Sequence, residues 1–202
     1  NRTGEFYLLQ IRPMVDNKMV LDEDLDGLDD KELIIRSDSA IGHGVMNDIY
    51  DIKYIKTKNY SASNKPAIAD EMEKINRTLL NENREYALIG PGRWGSSDQW
   101  LGIPVKWPAI SGARVIVECG LTNYRIDPSQ GTHFFQNLTS LGVAYYTINP
   151  YKGDGMFNEE YLNSLPAIEE TEYIRHVRFN TPCIAKVDGV KKKGVLIKAN
   201  SN

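Results

Sequence analysis

Apolar residues recur at helical spacing in two stretches of the chain. Residues 66–81 begin with a proline, a favoured first residue of a helix, and their apolar positions are Ile68, Met72, Ile75 and Leu79. Residues 134–142 end with a glycine, the favoured residue just beyond a helix, and their apolar positions are Phe134, Leu138 and Leu141. Spacings of three and four place such side chains on one face, so each stretch predicts an amphipathic helix.

Runs of β-branched and aromatic residues predict strands elsewhere. The predicted strands are residues 4–14, 33–35, 49–55, 86–89, 113–117, 143–148, 173–179, 183–187 and 194–198. Asp188 and Gly189 form the predicted turn of a hairpin between the last two runs. A further short helix is predicted at residues 159–165.

Composition and charge narrow the class of protein. The chain has 202 residues, of which 41% are hydrophobic and 25% charged, enough for one substantial core or two small ones. A net charge of −3 does not favour nucleic acid or an anionic membrane as a partner. Cys119 and Cys183 match neither a metal-ligand spacing nor a disulfide framework, so we expect reduced, buried thiols and a cytoplasmic location.

An acidic stretch at residues 22–30 matches the first half of an EF-hand loop. Aspartates stand at the first, third and fifth positions and Gly27 at the sixth, but the twelfth position is Leu33 instead of a bidentate glutamate. A solvated linker between domains is therefore the favoured interpretation over a calcium site.

A glycine-rich loop at residues 90–95 follows a predicted buried strand and matches the G-x-G-x-x-G dinucleotide fingerprint. Pro91 removes a backbone donor from the turn, and Pro104 and Pro108 leave little room for the helix that the fingerprint requires. Two interpretations stay open: a structural turn, or a loop near an active site on which Arg93 contacts a phosphorylated group.

One histidine stands at a predicted helix start. Gly131 and Thr132 form a turn that delivers His133 to the first helical positions. A neutral imidazole is a good nucleophile at neutral pH, and a helix N-terminus stabilises the charge of a bound phosphoryl group. Thr132 is placed to hydrogen-bond a phosphoryl oxygen or to fix the ring tautomer. A structural role as a cap or turn residue is the alternative, as we expect for His43 and His176.

The first strand resembles a known nucleotide site. Leu9-Gln10-Ile11-Arg12-Pro13 is similar to the last strand of the ATP-grasp domain in the phosphoenolpyruvate synthase and pyruvate phosphate dikinase family. The resemblance implies that Gln10 helps to hold Mg²⁺ and that Arg12 faces the phosphates of ATP. An amide oxygen is a hard metal ligand and a guanidinium binds phosphate through two hydrogen bonds. An amphipathic strand with two solvent-facing polar residues is the interpretation from the residues alone.

The histidine segment resembles the swivelling phosphohistidine domain of the same family. That domain has a glycine-rich turn, a threonine, a serine or cysteine, the phosphorylated histidine, a helix, Leu-Gly and a strand. Here Gly131-Thr132-His133 is followed by Leu141-Gly142 and the strand at 143–148. Two departures, the absent serine or cysteine and the bulky pair Phe134-Phe135, are typical of a degenerate domain.

The resemblance implies a domain organisation. Residues 1–14 form the terminal strand of an upstream ATP-grasp domain, and 15–31 an acidic linker. Residues 32–150 form an α/β swivelling phosphohistidine-type domain with β/β/α layers, and 151–202 a C-terminal α+β extension with a β-hairpin.

The resemblance also implies an activity. The chain belongs to a phosphoenolpyruvate synthase-like phosphotransferase in which ATP, bound with Mg²⁺ mainly by the upstream domain, phosphorylates His133. His133 then passes the phosphoryl group to an unknown small-molecule acceptor, and the fragment alone is expected to be inactive. The competing hypothesis is a degenerate swivel domain that acts as an interdomain or protein-binding module.

Overall fold

The computed structural model of the protein describes residues 21, 23–96, 102–122, 126–127, 138 and 141–199. In these residues the α-helices are α1 (Lys65–Asn81) and α2 (Glu159–Ser164). The strands are β1 (Leu33–Ser37), β2 (Ser39–Ile41), β3 (Gly44–Ile55), β4 (Tyr86–Pro91), β5 (Arg93–Trp94), β6 (Gly102–Ile103), β7 (Ala113–Cys119), β8 (Ala144–Ile148), β9 (Met156–Phe157), β10 (Ala167–Glu170), β11 (Ile174–Asp188) and β12 (Lys193–Ile197). This mixture of helices and strands confirms the predicted α/β class.

Ten of these strands form one sheet. Its order is β2-β8-β7-β4-β3-β11-β12-β1-β9. The tenth strand, β10, pairs with residues 175–177 of β11 on the side away from β3. Strands β3, β4, β7 and β8 are parallel to one another, whereas the remaining pairs are antiparallel. β5 and β6 form a separate two-stranded sheet.

The large sheet folds back on itself. β1 and β2 are separated only by Asp38. Nevertheless, β1 pairs with β12 in the antiparallel part of the sheet, whereas β2 pairs with β8 at the other end of the strand order. The hydroxyl of Ser37 donates to the carbonyl oxygen of Thr147 at 2.8 Å, and the amide of Ala40 donates to the carbonyl oxygen of Lys192 at 2.9 Å. The antiparallel strands therefore cover one face of the parallel strands, and α1 covers the other face.

Each face of the parallel strands has its own apolar core. The inner core lies between the parallel and antiparallel strands and includes Ile52, Val117, Tyr146, Ala185 and Leu196. The outer core lies beneath α1, whose predicted apolar face is buried as expected (Ile68, Met72, Ile75 and Leu79). The 3.6-residue pattern predicted this helix because only one of its faces meets the sheet.

The predicted helix at 134–142 falls largely outside the described residues. Leu138 is helical and fully buried in the outer core. Gly142 has φ +68°, and the amide of Val143 donates to the carbonyl oxygen of Leu138 at 3.0 Å, which is the long hydrogen bond of a Schellman C-cap. The predicted C-terminal glycine is thus confirmed. Leu141 is 52% exposed, so its predicted place on the buried face is wrong.

The strands predicted at 173–179 and 183–187 form one long strand, β11. Its pairing with β3 shifts register between Arg178 and Cys183, and Pro182, which lacks an amide hydrogen, lies in this interval. The predicted hairpin to β12 is confirmed, with Asp188 accepting hydrogen bonds from the amides of Val190 and Lys191. Because β11 lies between β3 and β12, the segment predicted as an extension supplies strands to the interior of the main sheet.

The described part of the acidic stretch packs against the sheet. Leu25 is 4% exposed and contacts Leu33 and Val195. Carboxylates of the stretch pair with basic residues of the sheet: Glu23 with Lys186, Asp26 with Lys193 and Asp30 with Arg36. Leu25 and these ion pairs hold residues 23–31 against the sheet, although most side chains of the stretch are exposed as expected for a solvated segment. No metal-binding group of His, Cys, Asp or Glu side chains occurs in the part of the chain that the structure describes.

Among the described helices, none has the length and apolar character needed to cross a bilayer.

Candidate functional site

The carboxyl ends of the four parallel strands share one edge of the sheet. In open parallel sheets, ligands bind in the crevice outside these ends. A pocket of about 600 Å³ lies there. It is lined by Cys119 at the end of β7, Thr57 just after β3 and Pro150 just after β8, and β9 and the start of α2 close it from the other side. The fold therefore places a pocket at the edge of the sheet where open parallel sheets bind ligands.

Carboxylates give this pocket its polar character. The hydroxyl of Thr57 donates to Glu159 Oε2 at 3.0 Å, and Glu160 follows in the first turn of α2. Cys119 contributes a buried thiol whose pKa burial raises to about 12, so this sulfur stays protonated and is not a nucleophile at neutral pH. Asp30 and Lys31 also line the pocket, so its lining carries charges of both signs.

Asn149, the first residue after β8, anchors a neighbouring segment at this edge. Its Oδ1 accepts from the amide of Ile126 at 2.7 Å, while its Nδ2 donates to the carbonyl oxygen of Ile126 at 3.0 Å. The side chain is only 2% exposed, and Nδ2 also donates to Asp154 Oδ2 at 3.2 Å. A two-point hydrogen bond between a buried amide and a backbone fixes both position and orientation.

Arg93 provides a second anchor for the same segment. Its Nη2 donates to the carbonyl oxygen of Asp127 at 3.0 Å. Asn149 was not among the residues predicted from the sequence, and Arg93, for which a phosphate contact was one of two interpretations, contacts a backbone carbonyl. The available signal for Asn149 was its place directly after a buried parallel strand, where polar residues of several strands converge.

The predicted phosphotransfer residues lie outside the described residues. They are Gly131, Thr132, His133, Gln10 and Arg12. The structure does place both ends of the connection that contains His133. β7 and β8 are adjacent and parallel, so the chain between Cys119 and Ala144 runs from the carboxyl edge of the sheet to the opposite edge. Ile126 is anchored at the first edge, and Leu138 packs in the outer core.

The glycine-rich loop at 90–95 packs around one tryptophan. A Cβ on Gly90 would lie 2.4 Å from Cζ2 of Trp94, so only glycine fits beneath this ring. Trp94 is 3% exposed, and its Nε1 donates to the carbonyl oxygen of Val117 at 3.1 Å. Gly92 has φ +81°, which favours glycine for conformational reasons alone. The glycines of this loop accommodate the Trp94 ring instead of a phosphate group. The loop geometry therefore supports the structural turn over the dinucleotide interpretation.

A second group of charged residues surrounds Asp51, in the middle of β3. His176 Nε2 lies 2.6 Å from Asp51 Oδ1, and Arg178 Nε donates to the same oxygen at 2.7 Å. Arg84 Nη1 donates to Oδ2 at 3.1 Å. Burial alone would raise the pKa of Asp51, but the hydrogen bonds from His176 and Arg178 outweigh it and hold the pKa below its ordinary value.

This charged group is a structural ion-pair network. Arg178 also donates to Glu82 at 2.9 Å, just beyond α1, so the network ties the end of α1 to β3 and β11. A pocket of about 670 Å³ opens beside it, at the start of β4 and away from the carboxyl edge. The predicted structural roles of two histidines agree with these contacts, since His176 is an ion-pair partner and His43 lies in the turn between Gly42 and Gly44.

Comparison with known proteins found no match: no family profile, no curated protein and no solved structure is similar to this chain.

Proposed function

We propose that this chain is the phosphohistidine-carrying part of a phosphoenolpyruvate synthase-like phosphotransferase. His133 takes a phosphoryl group from ATP bound by an upstream ATP-grasp domain and passes it to a small-molecule acceptor. Residues 32–150 form a swivelling domain that the later strands β11 and β12 complete. A parallel sheet with α1 on one face and antiparallel strands on the other agrees with the β/β/α layering that the resemblance implies, and this supports the assignment.

One observation carries the proposal: the connection that contains His133 begins at the carboxyl edge of the sheet and is anchored there. Asn149 and Arg93 hold residues 126–127 at this edge, six residues and more before His133. In a strand–helix–strand connection, the first turn of the helix lies near the carboxyl edge, where free backbone amides bind anions. The C-cap at Gly142 supports a helix that ends just before β8.

The chemistry needs few protein groups. A lone pair of the His133 imidazole attacks phosphorus, an N–P bond forms, and the P–O bond to the rest of the nucleotide breaks. Thr132 hydrogen-bonds a phosphoryl oxygen or holds the ring tautomer. The buried Cys119 is excluded as a competing nucleophile because its thiol stays protonated.

ATP and Mg²⁺ fit the donor types near the start of the chain. Gln10 supplies a hard amide oxygen for the metal and Arg12 a guanidinium for phosphate. Bound Mg²⁺ would neutralise phosphate charge, and Gln10 and Arg12 would hold and orient the nucleotide.

The test is phosphoryl retention by the full-length protein. It is incubated with Mg²⁺ and ATP labelled in its β- and γ-phosphates, then separated from nucleotide. We expect a label that is lost in acid and kept in alkali, as for a phosphoramidate, and abolished by His133→Ala.

The matched control is His43→Ala, which removes a turn histidine and should leave the label unchanged. Label that is absent from the folded wild-type protein, or equal in His133→Ala, contradicts the proposal. The first of these results would favour the degenerate binding module, for which the pair Phe134-Phe135 argues.

A further inference from the structure

Lys53 lies on β3 with no part of its side chain exposed. It lies two residues from Asp51 and on the same face of the sheet, beneath α1. Its Nζ has no hydrogen-bond partner among the described residues and lies 4.7 Å from the centroid of the Tyr86 ring. An ammonium group in this position has a ring face on one side and no acceptor.

The neighbouring strands do not supply the missing acceptor. His176 of β11 pairs with Lys53 in register, and Glu169 of the edge strand β10 pairs with His176. Glu169 is therefore two strands away and on the same face, and it is solvent-exposed. From β4, the ring of Tyr86 is the facing group, and its hydroxyl donates to Asn76 of α1.

The carboxylate of Asp51, two residues before Lys53 on β3, is already saturated. Asp51 receives hydrogen bonds from His176, Arg178 and Arg84, three groups that carry or can carry positive charge. Arg178 is also paired with Glu82, the charged residue at the end of α1 that faces this cluster. A protonated Lys53 would add another cation to a site whose carboxylates are engaged.

Burial of an ammonium without an acceptor is among the most costly arrangements in a protein interior. A cation–π contact with Tyr86 offsets only part of this cost. Burial accordingly lowers the pKa of Lys53 to about 7, with Glu169 and Asp51 opposing the shift.

We propose that Lys53 is a proton-controlled latch of the sheet. With Nζ neutral, the side chain stays in the apolar layer beneath α1. When Nζ takes a proton from solvent, the ammonium leaves this layer past His176 toward Glu169, and the pairing of β11 with β3 loosens around His176. The latch lies in the layer beneath α1 and does not depend on the phosphotransfer proposal.

The direction of the pH effect follows from proton binding. The unfolded chain keeps Lys53 protonated up to about pH 10.5, whereas the closed sheet binds that proton only below about pH 7. Between these values the unfolded state holds more protons, so stability rises with pH and falls as the solution becomes neutral. A single group contributes at most about a tenfold change in the folding constant per pH unit.

The test compares wild-type protein with Lys53→Met by urea unfolding between about pH 6 and about pH 9. Methionine keeps the unbranched apolar stem and removes the titrating amine. We expect the wild-type folding constant to rise by up to tenfold per unit relative to the variant above about pH 7, and the two slopes to converge below it. Lys74→Met, on the exposed face of α1, is the control and should keep the wild-type slope.

Hydrogen exchange locates the opening. After correction for intrinsic rates, amides of residues 174–178 should lose protection in wild type below about pH 7 and not in Lys53→Met. Equal pH slopes in wild type and Lys53→Met above about pH 7 would overturn the proposal. Should Lys53→Met not fold, NMR titration of the Lys53 ε-carbon in wild type decides: a midpoint near 7 supports the latch, and one above 10 overturns it.

Discussion

Asp51 shows how a single carboxylate organises its surroundings. Its two oxygens accept hydrogen bonds from His176, Arg178 and Arg84, which come from β11 and from the segment after α1. Hydrogen-bonded charge pairs of this kind hold elements in one register because no other partner satisfies the buried carboxylate. The residue therefore positions α1 and β11 against the central strand β3.

Replacement of Asp51 by asparagine should strongly destabilise the fold. The variant leaves Arg178 and His176 without their anionic partner, which costs about 3–5 kcal/mol for a buried pair. Chemical denaturation measures the loss, and Glu73→Gln, which breaks an exposed pair with Arg77, should cost less than about 1 kcal/mol.

Asp51 should also make the stability of the fold depend on pH in the acidic range. Its pKa is lowered in the fold, so its contribution is present above the unfolded value of 3.8 and is lost as pH falls through the lower folded value. An Asp51→Asn protein as stable as wild type at neutral pH would contradict the role given to this network.

At the scale of elements, local patterns located most helices and strands. The spacing of Ile68, Met72, Ile75 and Leu79 predicted α1 because one face of that helix meets an apolar sheet. Gly142 was identified as a C-cap because a left-handed residue there favours glycine. The exposure of Leu141 was not predictable, since the residue next to a C-cap turns away from the helix face according to the path of the following strand.

The Asn149 anchor gives an element-scale prediction. Asn149→Ala removes both hydrogen bonds to Ile126, so the amide of Ile126 should lose hydrogen-exchange protection and stability should fall by about 1–3 kcal/mol.

Asn158→Ala is the matched control for this variant. Asn158 caps α2 by accepting from the amide of Tyr161, so its loss should cost about 1 kcal/mol and leave Ile126 protected. Unchanged exchange at Ile126 in Asn149→Ala would show that the segment is held by other contacts.

At the scale of the whole molecule, the sequence predicted the class and not the strand order. Runs such as residues 183–187 indicate strands and a local hairpin with β12, but their other partner, β3, lies more than a hundred residues away, and nothing local encodes that pairing. The turn at Asp38 that joins β1 to β2 and the hydrogen bonds around Asp51 likewise depend on pairing between strands that are distant in the sequence. The proposed histidine came from a resemblance of motifs, and the anchor at Asn149 required the assembled strand ends.

The position of β11 predicts the effect of truncation. A chain that ends at residue 150 loses β11 and β12, which leaves β3 with an unpaired edge and opens the inner core around Ile52 and Tyr54. We expect such a chain to lack cooperative unfolding and dispersed amide NMR signals. A truncated chain that folds cooperatively would show that residues 32–150 form an independent unit.

The central claim is that His133 carries a phosphoryl group. Its most direct test is tandem mass spectrometry of the full-length protein after incubation with ATP and Mg²⁺, with digestion and separation kept alkaline. We expect one phosphoryl group on the peptide that contains Gly131, Thr132 and His133, located on the imidazole. A phosphoryl group on any other residue, or none on a protein that binds ATP, would contradict it.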